Sequence, residues 1–150
     1  MESAIFKNAF PKLAHRLGDR NTELIATLMH EREVHAGSIL IEDRALADAL
    51  FLVIDGEFRV EVARNDGAFE IGRIGQGKWI GVVPLFSDDN TSTSRIVAIG
   101  PSRVLELKQA SFWSALTENP DLVSALAREF MDQMSERARA AGELILRGLR

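Results

Sequence analysis

The 150-residue sequence contains no cysteine and no tyrosine, only 4 prolines, and no surplus of basic charge: 18 Lys and Arg stand against 22 Asp and Glu. Without cysteine there are no disulfides, thiol nucleophiles, iron–sulfur clusters or thiolate zinc sites. A formal net charge of -4 and a pI near 5.4 exclude a general nucleic-acid binder, whose affinity comes from clustered cations that displace counterions, so no nucleic-acid partner is expected. No uncharged apolar run approaches the roughly 18–20 residues of a membrane span, and no basic flank precedes an apolar leader, so neither a membrane nor a secretory signal is expected. The expectation is a mature, soluble, cytoplasmic chain. With 46% hydrophobic and 27% charged residues it has the composition of one globular domain.

Three stretches differ in period. Over residues 1–30, Phe6, Phe10, Leu13 and Leu17 fall at helical steps that Pro11 interrupts, and Asp19 or Asn21 is a candidate N-cap for a further helix carrying Leu24, Ile25, Leu28 and Met29. Over residues 31–108 the pattern becomes strand-like. Phe58, Val60 and Val62 alternate with Arg59 and Glu61, and Asn65-Asp66-Gly67 supplies a tight hairpin. Counting 31–35, 38–42, 49–55, 69–74, 78–80, 94–100 and 103–108, about eight short strands suggest a sandwich, jelly roll or barrel. Over residues 109–150 the helical period returns. Phe112, Trp113 and Leu116 mark a short helix, and Pro120-Asp121 opens a longer one to about Gly148, with Leu122, Leu126, Phe130, Met134, Ala138, Ala141 and Ile145 along one stripe.

Read in order, His35-Ala36-Gly37-Ser38-Ile39-Leu40, then 49–60 (ALFLVIDGEFRV), then 74–81 (IGQGKWIG), then Arg103-Val104-Leu105-Glu106-Leu107 and Phe112 closely resemble the cyclic-nucleotide-binding domain. That family includes the effector domain of the bacterial catabolite activator and the regulatory domains of cyclic-nucleotide-gated channels and protein kinases. The resemblance implies a mainly β fold: an eight-stranded jelly roll as a single domain over 1–150, with N-terminal helices and two C-terminal helices. It also implies a regulatory, non-enzymatic module whose ligand would be cAMP or cGMP, with no other cofactor. Gly37, Gly56, Gly75 and Gly77 read as turn glycines, and only Gly81 belongs to the pocket.

The sequence departs from the family where the family binds its ligand. After Gly81 the family would place a Glu for the ribose 2′-hydroxyl and a short apolar helix whose amides cradle the phosphate; here stand Val82, then Val83, Pro84 and Leu85, and Pro84 has no N–H. Where the family supplies an Arg, a hydroxyl residue and Ala, this chain has Ser92, Thr93 and Ser94, with Arg95 the nearest cation and Asp88 and Asp89 in the same loop to repel phosphate. Losing two charge-assisted contacts of roughly 1.5–3 kcal/mol each weakens binding by about two to four powers of ten. The candidate ligand-binding residues are therefore Gly81, Val82, Val83, Leu85, Ser92, Thr93 and Arg95. Three states of that pocket stay open: silent, repurposed through Thr91-Ser92-Thr93-Ser94, or weakly functional with Arg95 reaching the phosphate from a shifted register.

No catalytic constellation appears. His30 and His35, five apart beside Glu31 and Glu33, point to opposite faces of a strand, so no metal site is expected. The long final helix exceeds what a small sandwich covers, which points to a homodimer through residues 121–149 or to another protein partner.

Overall fold

The computed structural model describes residues 3–65 and 67–148. Pro11 ends the first helix, α1 (Ser3–Ala9), and sits at the first position of the second, α2 (Pro11–Leu17), where its missing N–H costs nothing. Phe6, Phe10, Leu13 and Leu17 are all buried on one side of this pair. Neither Asp19 nor Asn21 caps α3 (Asp19–Leu28): Gly18, with φ 81°, turns the chain so sharply that the helix starts directly after it, with no side-chain cap. Asn21 lies instead within the first turn and is buried, donating to Leu17 O and Asp121 Oδ2.

Eight strands follow: β1 (Met29–Val34), β2 (Ile39–Ile41), β3 (Ala49–Asp55), β4 (Phe58–Arg64), β5 (Gly67–Ile74), β6 (Trp79–Ile80), β7 (Arg95–Ala98) and β8 (Ser102–Lys108). A one-turn helix, α4 (Val82–Leu85), separates β6 from β7. Strand β1 opens at Met29, earlier than the expected Glu31, because Met29 is drawn fully into the core opposite Leu107. Asp66, expected in the hairpin turn, lies outside the described residues. The strands form two antiparallel four-stranded sheets, β1-β8-β3-β6 and β2-β7-β4-β5, which close as a jelly roll.

Strand β3 explains why the core has two parts. Its residues 49–54 are all buried, the signature of a strand covered on both faces. Leu50, Leu52 and Ile54 join Trp79, Leu105, Phe112 and Phe130 beneath the helices, whereas Phe51 and Val53 join Phe58, Val60, Ile80 and Ile96 inside the roll. The β3–β4 turn needs Gly56, whose φ is 97° and whose added Cβ would collide with Ser102.

Two helices complete the fold, α5 (Gln109–Glu118) and α6 (Pro120–Gly148). With 29 residues α6 is about 43 Å long at 1.5 Å per residue. Leu122, Leu126 and Phe130 are buried and Met134 is half-buried, but Ala138 and Ala141 further along the same stripe are exposed; the Ile145 side chain is not among those described. Phe130 meets Trp79 edge to face at 5.4 Å. One turn on, the Gln133 amide grips the outer edge of β6: its Oε1 accepts from Trp79 N–H at 2.7 Å and its Nε2 donates to Trp79 O at 2.6 Å. Arg16 binds Glu129 and Asp132, and Lys78 binds Glu136, fixing α6 to α2 and to the roll. Among the described residues, no helix is long and apolar enough to cross a membrane and no group of three His, Asp or Glu side chains is placed to hold a metal ion.

Candidate functional site

The inner face of the β2-β7-β4-β5 sheet, α4, the 92–94 segment and α6 enclose a cavity of about 140 Å³. Ile41, Val62, Ile74 and Ile96 make its apolar walls. Gly81 enters it in the left-handed region, φ 93°, and a Cβ there would lie 2.8 Å from Ala49 O, so the chain turns from β6 into α4 with its backbone pressed on β3. The 92–94 segment is pinned to the 44–47 loop by Ser92 N–H to Ala45 O and Arg44 N–H to Ser92 O, at 3.0 and 2.9 Å. Ser92 is consequently buried, and its hydroxyl donates to Ser94 O at 2.7 Å.

Of the residues singled out from the sequence, Gly81, Val82, Val83, Ser92 and Thr93 line this cavity. Val82 is buried and Val83 and Thr93 are exposed. Leu85 does not line it: one turn of helix carries that side chain into the other core, beneath the helices. Arg95 does not line it either, because strand alternation sends Ile96 inward and Arg95 outward. Its guanidinium binds Glu42 at 2.7 Å beside Asp43 and Glu61, which raises the Arg95 pKa and holds the Glu42 carboxyl below its ordinary value of 4.5. Asp88 and Asp89 are exposed and take no part in the cavity wall; Asp89 Oδ1 accepts from Thr91 N–H at 3.1 Å.

Among the described residues, the one charged wall residue lies outside the sequence candidates. Arg137 of α6 reaches the cavity, half-buried, and burial alone moves its pKa, downward. The clue in the sequence was positional: Gln133 and Arg137 fall three and seven residues after Phe130, on the face α6 presents to the roll. A larger cleft of about 720 Å³ lies between α2, the β5–β6 turn and α6; of its charged residues Arg16, Lys78, Glu129, Asp132 and Glu136 are matched in ion pairs, and Lys12 joins them on the lining.

Residues 31–119 match the family model described as the cyclic nucleotide-binding domain. The chain belongs to that family. Among solved structures, a cyclic nucleotide-binding domain from Methylobacillus flagellatus superposes with a TM-score of 0.85 at 20% identity, covering 97% of this chain and 85% of that one. The Thermus thermophilus catabolite activator protein gives 0.71 at 22% identity, over 91% of this chain and 62% of that one. A curated relative, the lysophospholipase nte1 of Neurospora crassa, is 23% identical over 84% of this chain, which spans only 9% of that protein. As a cyclic nucleotide-binding domain the chain is a regulatory fold.

Proposed function

We propose that this cyclic nucleotide-binding domain is a cytoplasmic, non-enzymatic regulatory module that binds cAMP and cGMP weakly or not at all. The observation that carries this reading is the wall at residues 82 and 92. A buried isopropyl stands at Val82, and at Ser92 a buried hydroxyl already bonded to Ser94 O stands where a cation would meet a phosphate. Arg95 offers no substitute, since Glu42 holds it on the opposite face of the sheet. A ribose hydroxyl and a phosphate placed there would be desolvated without partners, and two missing charge-assisted contacts amount to about 3–6 kcal/mol.

Calorimetry tests this. The wild-type chain is expected to give no saturable heat with cAMP or cGMP at concentrations that saturate an intact sensor. The double variant Val82→Glu with Ser92→Arg, which restores both groups together, is expected to gain at least about tenfold in affinity, equivalent to roughly 1.4 kcal/mol. Micromolar binding of either nucleotide by the wild type would overturn the reading.

A further inference from the structure

We propose that Arg137 supplies the roll cavity with the cation that its 92–94 segment lacks, and that the cavity takes a small monocarboxylate with an apolar body in place of a nucleotide. This rests on the reading above and gives it a ligand class.

The charge inventory around the cavity is the first argument. Arg73 is paired with Glu57 and Glu70, Lys78 with Glu136, and Arg95 with Glu42. The Arg137 guanidinium has no hydrogen bond and no ion pair among the described residues. A guanidinium has five N–H donors in a planar fork, and holding it half out of water unpaired is unfavourable. Burial lowers its pKa with no carboxylate opposing the shift, so the site favours an arriving anion. Arg137 also stands one helical turn beyond Gln133, whose two hydrogen bonds to Trp79 fix that part of α6 against the roll.

Shape and lining give the second argument. About 140 Å³ is below the roughly 300 Å³ at which drug-sized pockets begin, but close to the roughly 150 Å³ apolar cavity that accommodates benzene. Val62, Ile74 and Ile96 offer such a body dispersion contacts, and Ser92, Thr93 and Ser94 add hydroxyls to the lining. A carboxylate at the Arg137 end can take both N–H groups of the fork, the geometry that guanidinium and carboxylate share. A ring or short branched chain bearing one carboxylate fits both ends of the site.

The test is calorimetry on the whole chain with benzoate as probe. Benzyl alcohol serves as the body without the charge, and inorganic phosphate as the charge without the body. Benzoate is expected to give a saturable isotherm, with both controls at least tenfold weaker. Arg137→Gln should lose at least tenfold in benzoate affinity, Arg137→Lys should retain part of it, and Arg95→Gln, outside the cavity, should bind as the wild type does. Thermal unfolding of each variant confirms that it is folded. A wild type that ignores benzoate as well as cAMP overturns the carboxylate proposal and leaves the weak-nucleotide reading standing. Benzoate bound equally by Arg137→Gln overturns the assignment of Arg137, and tight cAMP binding by the wild type overturns both.

Discussion

Replacing Gln133 with Leu keeps the volume of a buried side chain and removes only its two hydrogen bonds. Strand β6 is the edge of its sheet, so Trp79 has neighbours on one side, where it pairs with Leu52 of β3, and its other backbone groups face α6. The Gln133 amide meets both, accepting at 2.7 Å and donating at 2.6 Å, as a neighbouring strand would. Trp79 is 1% exposed and Gln133 6%, so water has little access to either. Each orphaned backbone group costs about 1–3 kcal/mol, partly offset by the apolar gain of leucine, for a net loss of about 2–4 kcal/mol. That is a large share of the roughly 5–15 kcal/mol typical of a domain, and it corresponds to a fall in Tm of about 5–15 °C at this length. Urea unfolding followed by tryptophan fluorescence should show a lower midpoint with an unchanged slope. Gln133→Glu should be at least as damaging at neutral pH, since a carboxylate can accept from Trp79 N–H but cannot donate to Trp79 O. It should recover in acid as it gains a proton. A Gln133→Leu protein within about 0.5 kcal/mol of wild type would refute the reasoning and mean that solvent closes the edge of β6.

Gly81→Ala should cost about 2–4 kcal/mol in urea unfolding, because a left-handed residue at φ 93° acquires a Cβ 2.8 Å from Ala49 O; a neutral outcome would mean that β3 yields at little cost. Asp121 accepts from Asn21 at 2.9 Å, and that bond holds its carboxyl below the ordinary 3.8. Its contribution is therefore present above the ordinary value and lost as pH falls through the folded-state one. The Tm gap between wild type and Asp121→Ala should narrow in acid, and a gap constant from neutral pH to pH 2 would contradict this. For the exposed outer part of α6, with Leu146 63% exposed, we propose a second copy of the chain as occupant. Light scattering should report about twice 16.6 kDa at micromolar concentration, and a chain ending at residue 137 should be monomeric; a full-length monomer at high concentration would refute it.

Much of the architecture could be read from particular residues. The bounds of β3 are plain in the sequence because both its faces are buried and the apolar run is unbroken from Ala49 to Ile54. Pro120 opens α6, and its stripe gives its length. The start of α3 is not legible, because polar residues that resemble caps stand next to a glycine that does the turning. Within the site, the 82–83 and 92–93 positions follow from spacing after Gly81, but Leu85 and Arg95 needed the rotation of a one-turn helix and the phase of β7, which the loop between Phe86 and Ile96 conceals. Gln133 and Arg137 are not legible in the sequence because periodicity counts apolar residues, and a polar side chain on a buried stripe interrupts that count without revealing its own purpose.

The strand order has a consequence for how the chain must assemble. In one sheet β8 lies between β1 and β3, and in the other β7 lies between β2 and β4, so the last two strands in sequence occupy interior positions of both sheets. Until Lys108 has left the ribosome, β1 has no neighbour, because its partner from Met29 to Val34 is the stretch from Leu107 back to Ser102. Of the strand pairings, a nascent fragment ending before Arg95 holds only the β4–β5 hairpin and the short β3–β6 pair, with the apolar faces of Leu50, Leu52 and Phe58 uncovered. Loop closure across about seventy residues must precede the contacts that reward it, which places this roll among slow-folding topologies.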